Sequence, residues 1–185
     1  MAAVGPARGV TVRHARGDDV EAIESVLLQA FSPDARPAAL ARAVRASGAH
    51  LAELELVAVH EGRVVGHVLV SRAHVLDASG VRHDVLALSP LSVSVALQRQ
   101  GIGSALVLEA LARADAALEP LVTVEGHPGY YPRFGFELAA GLGVAMALPA
   151  WAPPEAAMAR RRPGADRVPQ GRLEYAACFQ IVLEE

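Results

Sequence analysis

The sequence contains no lysine, and all 17 of its basic residues are arginine. Because an arginine guanidinium stays protonated, no side chain can form a Schiff base with a carbonyl substrate. The nucleotide-binding P-loop is excluded for the same reason, since it requires a lysine. We attribute this absence to arginine-biased coding rather than to function.

Cysteine is almost as scarce, since Cys178 is the only one in the chain. One thiol excludes an intramolecular disulfide and any metal centre built from several thiolates. Its neighbours are alanines and a phenylalanine, so we expect a buried hydrophobe rather than a reactive thiol. A chain with a single cysteine suits a reducing compartment, and we therefore expect a cytoplasmic protein.

Long hydrophobic runs and an excess of positive charge are also missing. The longest uncharged stretch, Leu138–Pro154, is shorter than a membrane-spanning helix and is interrupted by glycine and proline. The formal net charge of −3 gives no electrostatic footprint for nucleic acid. The N-terminus lacks the apolar core of a signal peptide, so residues 1–9 are predicted to be a mobile tail. We expect neither a membrane nor a nucleic acid as partner.

What the sequence does contain is enough apolar material for one domain. Hydrophobic residues make up 52% of the 185 residues and charged residues 20%, which is typical of globular proteins that bury a core without disulfides. No repeat, linker or sharp change of composition divides the chain. We therefore predict a single domain over residues 10–185.

Strand-like segments predict a sheet in the first half of this domain. Glu53–His60 and Arg63–Ser71 are joined at Glu61-Gly62, which is a hairpin signal. A sheet built from directly linked strands is largely antiparallel. A further strand-rich segment, 81–95, contains Pro90, which cannot donate to a strand ladder, so we expect a bulge or an unpaired edge there.

Apolar residues at helical spacing predict helices that flank the sheet. The first begins at Asp18, with Glu21 in a capping-box relation to it. A second follows Pro37, and a third covers Gly101–Ala117. The predicted fold class is mixed α/β (α+β).

A polar turn containing two glycines, Gln98–Ser104, leads from a predicted strand into the third helix. The first N–H groups of a helix have no partner within it and lie at the positive end of its dipole. Gly101 and Gly103 carry no Cβ, so a diphosphate can approach the backbone closely. The segment therefore predicts a phosphate-binding turn.

Two other interpretations compete at this turn. A pair of glycines at a helix start can form a plain turn without a ligand. A dinucleotide-binding oxidoreductase is the second alternative, because Glu125 ends the next predicted strand, where that fold carries a ribose-binding acid. Its fingerprint requires a third glycine, however, and Leu106 stands in that place.

The segment Gln98–Gly103 (QRQGIG) resembles the Gln/Arg-x-x-Gly-x-Gly/Ala signature of the GCN5-related N-acetyltransferases, the GNAT superfamily. Downstream, Tyr131 stands four residues before Gly135-Phe136, which resembles the second motif of this family. The two motifs occur in the family's order and at a typical separation, and the resemblance covers residues 10–136. The segment Pro154–Met158 resembles an uncharacterised bacterial branch of the same family.

The resemblance implies a largely antiparallel sheet in which two central strands splay apart. It also implies acetyl-CoA as co-substrate, without a metal. The pantetheine arm of the cofactor would pair with the strand edge that the splay exposes, and its diphosphate would lie on the turn. The implied cofactor-binding residues are Leu91, Ser92, Val93, Gln98, Arg99, Gln100, Gly101, Ile102, Gly103 and Ser104. A homodimer is compatible with the resemblance, and the sequence itself leaves the oligomeric state open.

By the same resemblance, the activity is direct transfer of an acetyl group from acetyl-CoA to an amine of a small molecule or a protein. Tyr131 would be the general acid that protonates the departing thiolate, with packing beneath the cofactor as its alternative role. The base is left open: Glu125 could be the general base or a substrate contact, with a solvated loop carboxylate as the alternative. His127 is a second candidate base, although an ordinary loop histidine is the favoured interpretation, and this family also often uses water chains with no single base. Tyr130 is expected to be a packing residue. A non-catalytic acyl-CoA sensor would carry the same turn, and it remains the alternative function.

Overall fold

The computed structural model describes residues 9–183, so residues 1–8 of the predicted tail lie outside the described residues. The strands are β1 Val10–His14, β2 His50–His60, β3 Arg63–Leu76, β4 Arg82–Val93, β5 Leu121–Glu125, β6 Glu137–Leu138, β7 Val144–Ala145, β8 Ala157–Arg161 and β9 Gly171–Tyr175. The α-helices are α1 Val20–Phe31, α2 Arg36–Arg45, α3 Ile102–Ala117 and α4 Gln180–Leu183. None of the described helices combines the length and the apolar composition needed to cross a bilayer.

The strands form one sheet in the order β1-β2-β3-β4-β5-β8-β6, with β9 paired to β3 and β7 paired to β9. The predicted hairpin is confirmed, because His60 lies opposite Arg63 at the end of the antiparallel β2–β3 pair. Most pairs are antiparallel, whereas β4 and β5 run parallel, as do β7 and β9. The mixed, largely antiparallel sheet is therefore as predicted.

The two central strands β4 and β5 are paired over two residues only, in the middle of β4 and near the start of β5. Leu86 lies opposite Val122 and Ala87 lies opposite Thr123, and no further pair follows. The Thr123 hydroxyl donates a hydrogen bond to the Leu86 carbonyl oxygen at 3.0 Å, which secures the last point of contact. Beyond it the strands diverge, and this confirms the predicted splayed pair.

A β-bulge lies in β4 where Pro90 interrupts the strand. Val70 of β3 pairs with Leu88, whereas Val68 pairs with Leu91, so β4 contains one more residue than β3 over this stretch. Such an extra residue bends the strand that carries it. The break that Pro90 predicts is thus confirmed, and it lies just after the point where β4 and β5 separate.

The helices cover the sheet on both faces. Along β4, Leu86 and Leu88 belong to the core cluster beneath α3, whereas Val85 and Ala87 belong to the cluster beneath α1 and α2. Gly66 on β3 allows α3 to lie close to the sheet, because a Cβ there would be 3.0 Å from the Leu106 side chain. This close packing fixes the beginning of α3 against the end of β4.

The start of α1 differs from the prediction. A single 3₁₀ turn precedes α1, and the predicted capping box of Asp18 and Glu21 is wrong. The adjacent Asp19 is the buried acid. Its carboxylate accepts a hydrogen bond from the Arg16 N–H at 2.8 Å and forms an ion pair with Arg13 of β1 at 2.6 Å. The ion pair with Arg13 of the neighbouring strand β1 explains why Asp19, and not Asp18, is the buried acid. The residue pattern of the helix alone does not predict a contact with another element.

A buried ionic cluster ties α2 to the sheet. Glu55 of β2, which is 3% exposed, accepts hydrogen bonds from Arg45 at 2.8 Å, from His67 at 2.9 Å and from His50 at 2.8 Å. Burial by itself raises the pKa of this carboxyl, but the bonds from His67 and Arg45 outweigh it and hold the Glu55 pKa below its usual range. Burial also lowers the pKa of His67, so a neutral imidazole donates its Nε2–H to the carboxylate.

We predict that Glu55→Ala lowers the free energy of unfolding by about 3 kcal/mol near pH 7, because it leaves a largely buried guanidinium without its partner. Urea denaturation measures this change. Because the pKa of Glu55 is lower in the folded state, its contribution is present above the unfolded pKa of about 4.3 and is lost as the pH falls below it. The difference between the two proteins should therefore shrink in acid.

The matched control is Glu53→Ala, which removes an exposed carboxylate from the same strand. Its effect should stay within about 0.5 kcal/mol. Equal losses for the two variants would mean that the cluster does not hold α2 in place.

Candidate functional site

The turn before α3 has an unusual backbone. Arg99 and Gly101 both adopt left-handed conformations, with φ of 61° and 84°. Glycine does so without steric cost, and this explains why the turn requires one at position 101. Backbone of this kind forms concave surfaces lined by N–H groups, which bind anions.

The first amides of α3 are unpaired. The first helical hydrogen bond is donated by the Ala105 N–H to the Gly101 carbonyl oxygen at 2.9 Å. Within residues 9–183, no group accepts a hydrogen bond from the N–H groups of Ile102, Gly103 or Ser104. No acidic side chain lies in this first turn either, so the positive end of the helix dipole is not neutralised locally.

A shallow groove, here called the turn groove, lies in front of these amides. Eight of the ten predicted cofactor-binding residues line it, together with two residues from the following segment: Leu91, Ser92, Val93, Gln98, Arg99, Gly101, Gly103, Ser104, Tyr130 and Arg133. The Gln100 side chain is exposed and does not line the groove. The Ile102 side chain is 1% exposed and packs into the core, so only its backbone faces the turn.

Tyr130 and Arg133 are the residues of the turn groove that the sequence analysis missed. The Tyr130 hydroxyl would lie 3.0 Å from a Cβ at Gly103. Burial raises the pKa of Tyr130, and the nearby Ser104 side chain offsets part of this rise. The Arg133 guanidinium stacks on the Tyr130 ring, 4.7 Å from its centre. Tyr130 therefore lines the turn groove, and Arg133 adds a positive charge to the groove wall. In the sequence, only the closeness of Tyr130 and Arg133 to Tyr131 in the second motif indicates that they could belong to the site.

The edge of β4 that faces the gap provides free backbone groups. The Ser94 N–H bonds to the Val65 carbonyl oxygen of β3 at 2.8 Å. Because successive strand residues direct their backbone groups to opposite sides, the N–H groups of Leu91 and Val93 face away from β3. The Val93 carbonyl oxygen accepts a hydrogen bond from the Gln98 side chain at 3.2 Å. The gap between β4 and β5 thus has a strand edge with which an extended ligand can pair.

A second depression, here called the β4–β5 cleft, adjoins the turn groove and has a volume of about 420 Å³. Leu91 and Tyr130 line both. The other residues of the cleft come from five separate parts of the chain: Phe31, Asp34, Arg36, Pro37 and Leu40; Leu88, Ser89 and Pro90; Glu125, Gly126, His127 and Tyr131; Pro149 and Trp151; and Val182. Of these residues, only Leu91, Glu125, His127 and Tyr131 were predicted from the sequence as candidates for the site.

Tyr131 lies at the inner end of the β4–β5 cleft and is 7% exposed. Its ring rests directly on Gly126, where a Cβ would come within 2.1 Å of the ring carbon Cε2. Edge-on contacts with Tyr130 and Phe136, at 5.1 Å and 5.6 Å between ring centres, fix its orientation. Burial raises the pKa of Tyr131, so the phenol keeps its proton throughout the neutral range.

Glu125 is the last residue of β5 and lines the β4–β5 cleft beside Tyr131. Within the described part of the chain, its carboxylate forms neither a hydrogen bond nor an ion pair. Burial raises the pKa of Glu125. Behind it lies Tyr175, whose own pKa is raised by burial and, to a smaller extent, by the negative charge of Glu125. His127 is held in its loop, where its Nδ1 accepts a hydrogen bond from the Gly129 N–H at 3.0 Å.

Two known proteins of similar sequence carry the same kind of name. The uncharacterised N-acetyltransferase YhbS of Escherichia coli is 35% identical over 123 residues, which cover 66% of this chain and 70% of that protein. The N-acetyltransferase YjhQ of the same organism is 38% identical over 90 residues, or 48% of each chain.

Solved structures agree over almost the whole chain. The crystal structure of Escherichia coli YhbS in complex with CoA has a TM-score of 0.79 and 27% identity, covering 95% of this chain and 94% of that one. A GNAT family acetyltransferase from Brucella melitensis in complex with acetyl-CoA has a TM-score of 0.75 and 28% identity, covering 92% and 97%.

The family model of the GNAT acetyltransferases matches residues 20–136, a range that contains the turn groove and Tyr131. This match confirms the family that the two sequence motifs indicated, and with it the transferase class. The chain therefore belongs to the acetyltransferase (GNAT) family.

Proposed function

We propose that this chain transfers an acetyl group from acetyl-CoA to a primary amine. The observation that carries the proposal is the set of unpaired amides at the start of α3, next to an unpaired edge of β4. An anion site and an open strand edge are the two features that bind a diphosphate and an extended amide chain. The CoA and acetyl-CoA complexes of the two similar structures support the same assignment.

The cofactor lies across the turn groove in this proposal. Its diphosphate accepts hydrogen bonds from the amides of Ile102, Gly103 and Ser104, and Arg133 adds a positive charge at the groove wall. Its pantetheine arm pairs with β4 at Leu91 and Val93. The thioester then lies in the gap between β4 and β5, where the turn groove meets the β4–β5 cleft. Because acetyl-CoA is an intracellular metabolite, the proposal also assigns the chain to the cytoplasm.

The reaction needs three things from the protein. The amine nitrogen attacks the thioester carbonyl carbon, a C–N bond forms, and the C–S bond breaks with its electron pair left on sulfur. A backbone N–H of β4 near Val93 polarises the carbonyl as negative charge develops on its oxygen. The nitrogen loses one proton and the sulfur gains one, so the products are an N-substituted acetamide and free CoA.

Tyr131 is the general acid in this proposal. Its phenol is protonated at neutral pH, because burial raises its pKa, and its ring is fixed at the inner end of the β4–β5 cleft. A phenol in hydrogen-bond reach of the sulfur can donate a proton to the departing thiolate. Glu125, which lines the same cleft, contacts the amine and accepts the proton that the nitrogen loses.

We predict that Gly103→Leu weakens the binding of acetyl-CoA by about tenfold or more, because a bulky side chain there occupies the groove in front of the amides and blocks the hydrogen bonds to the diphosphate. The rise in melting temperature on addition of acetyl-CoA measures this effect. The helix itself tolerates leucine better than glycine, so the free energy of unfolding without ligand should stay within about 1 kcal/mol of the original.

Gly48→Leu is the matched control, since a Cβ at that exposed glycine meets nothing within 4 Å. It should leave the rise in melting temperature with acetyl-CoA unchanged. NADH should not raise the melting temperature of any of these proteins, whereas a rise with NADH alone would favour the oxidoreductase. Full acetyl-CoA affinity in Gly103→Leu would remove the turn from the binding site.

We predict that Tyr131→Phe lowers kcat by about 100-fold or more and leaves the Kd of acetyl-CoA nearly unchanged, because the variant keeps the ring and removes only the hydroxyl group that donates the proton. Release of CoA in the presence of an accepted amine measures kcat. Tyr130→Phe, the neighbouring tyrosine, should act mainly on the KM for acetyl-CoA. Full activity in Tyr131→Phe would leave that residue a packing role, and acetyl-CoA binding without any turnover would favour the sensor.

A further inference from the structure

We infer that the acceptor is a small primary amine with an apolar body, either an alkyl or an aralkyl chain, whose amino group lies at Glu125 and whose body lies against Trp151 and Phe31. The inference rests on the proposed acetyl transfer, because it names the substrate that this activity would use. It follows from the charge and the lining of the β4–β5 cleft.

The outer wall of the cleft is apolar and aromatic. Trp151 is the only tryptophan of the chain and is 69% exposed, and Phe31 at the end of α1 is 36% exposed. Pro37 and Leu40 of α2 continue this wall inwards. Large aromatic side chains left open beside a concave site mark a surface that an apolar ligand covers.

One charge in the cleft has no partner. Asp34 and Arg36, at the rim, form an ion pair with each other at 2.9 Å. The Glu125 carboxylate, deeper in the cleft, forms no hydrogen bond or ion pair with any residue from 9 to 183. A half-buried carboxylate without a partner attracts a cation, and a primary ammonium group is the cation that this reaction consumes.

The remaining polar groups of the cleft are few. His127 uses its Nδ1 to accept a hydrogen bond from the Gly129 N–H. Besides Glu125 and Tyr131, this leaves the Ser89 side chain, the Tyr130 hydroxyl and the Nε2 atom of His127 to meet polar groups of an acceptor. An amino sugar would bury several hydroxyl groups without partners here, and an acidic acceptor would meet the negative charge of Glu125. The volume of about 420 Å³ suits a small molecule.

The amine can react only after it has lost a proton. An alkylammonium ion bound at Glu125 gives one proton to the carboxylate, which passes it to solvent. The free nitrogen then attacks the thioester and loses its second proton to the Glu125 carboxylate. Tyr131 gives its own proton to sulfur and regains one from solvent, while Glu125 releases its proton to solvent. The overall change is an alkylammonium ion and acetyl-CoA to an N-alkylacetamide, CoA and one proton.

A homologous series of acceptors tests the apolar body. From propylamine to hexylamine the basicity of the amine is almost constant, whereas each added methylene buries more apolar surface. The value of kcat/KM, measured by CoA release, should therefore rise roughly fourfold per methylene. 5-Amino-1-pentanol, which replaces the last methyl group of hexylamine by a hydroxyl, should fall well below hexylamine. A flat series, or a preference for aminopentanol or glucosamine, overturns the inference.

Two variants test the assigned contacts. Trp151→Ala should remove most of the increase of kcat/KM with the length of the amine. It should also raise the KM for hexylamine by about tenfold, while the KM for acetyl-CoA stays unchanged. Glu125→Gln keeps the shape of the side chain and should lower kcat/KM for every amine in the series by a similar factor, without changing its slope. The control is Leu118→Ala, which shortens an equally exposed apolar side chain at the far end of α3. It should leave the increase of kcat/KM with the length of the amine unchanged. An unchanged slope in Trp151→Ala overturns the placement of the apolar body.

Trp151 also reports binding without turnover, because it is the only tryptophan. Hexylamine added to the protein saturated with CoA should change the tryptophan fluorescence at concentrations near its KM, and aminopentanol should need higher ones. If acetyl-CoA raises the melting temperature but no alkylamine changes the fluorescence or releases CoA, the substrate inference fails and the cofactor assignment stands. If acetyl-CoA itself does not bind, the proposed function fails first.

Discussion

The extra residue in β4 at Pro90 is the constraint on which the site depends. It bends the strand just after β4 and β5 have made their last contact, at Ala87 and Thr123. The resulting gap exposes the edge of β4 on one side and opens the β4–β5 cleft on the other. If the two strands continued side by side, neither the extended ligand nor the acceptor amine would have a place to bind.

Three glycines then set the distances around that gap. Gly66 lets α3 lie close to the sheet, so that the unpaired amides of its first turn meet the end of β4. Gly103 leaves room beside the Tyr130 hydroxyl, and Gly126 lets the ring of Tyr131 rest on the backbone next to Glu125. Each glycine permits an approach that a Cβ would obstruct, and together they bring the proposed phosphate site close to Tyr131 and Glu125, the proposed catalytic residues.

The sequence was informative wherever the signal is local. The hairpin at Glu61-Gly62, the break at Pro90 and the glycine turn before α3 each follow from the conformational limits of one or two residues, and the structure has all three. Contacts between distant segments could not be predicted in this way. The pairing of Asp19 with Arg13 and the meeting of Trp151 with Phe31 at the cleft depend on how the helices and loops pack on the sheet. Local periodicity contains no information about such packing.

The most direct test of the site is a crystal structure of this chain with CoA bound. We expect the oxygen atoms of the diphosphate within hydrogen-bond distance of the N–H groups of Ile102, Gly103 and Ser104. The sulfur should lie between β4 and β5, within reach of the Tyr131 hydroxyl. A structure in which those amides are bonded within the protein, with CoA bound elsewhere, would contradict the central claim.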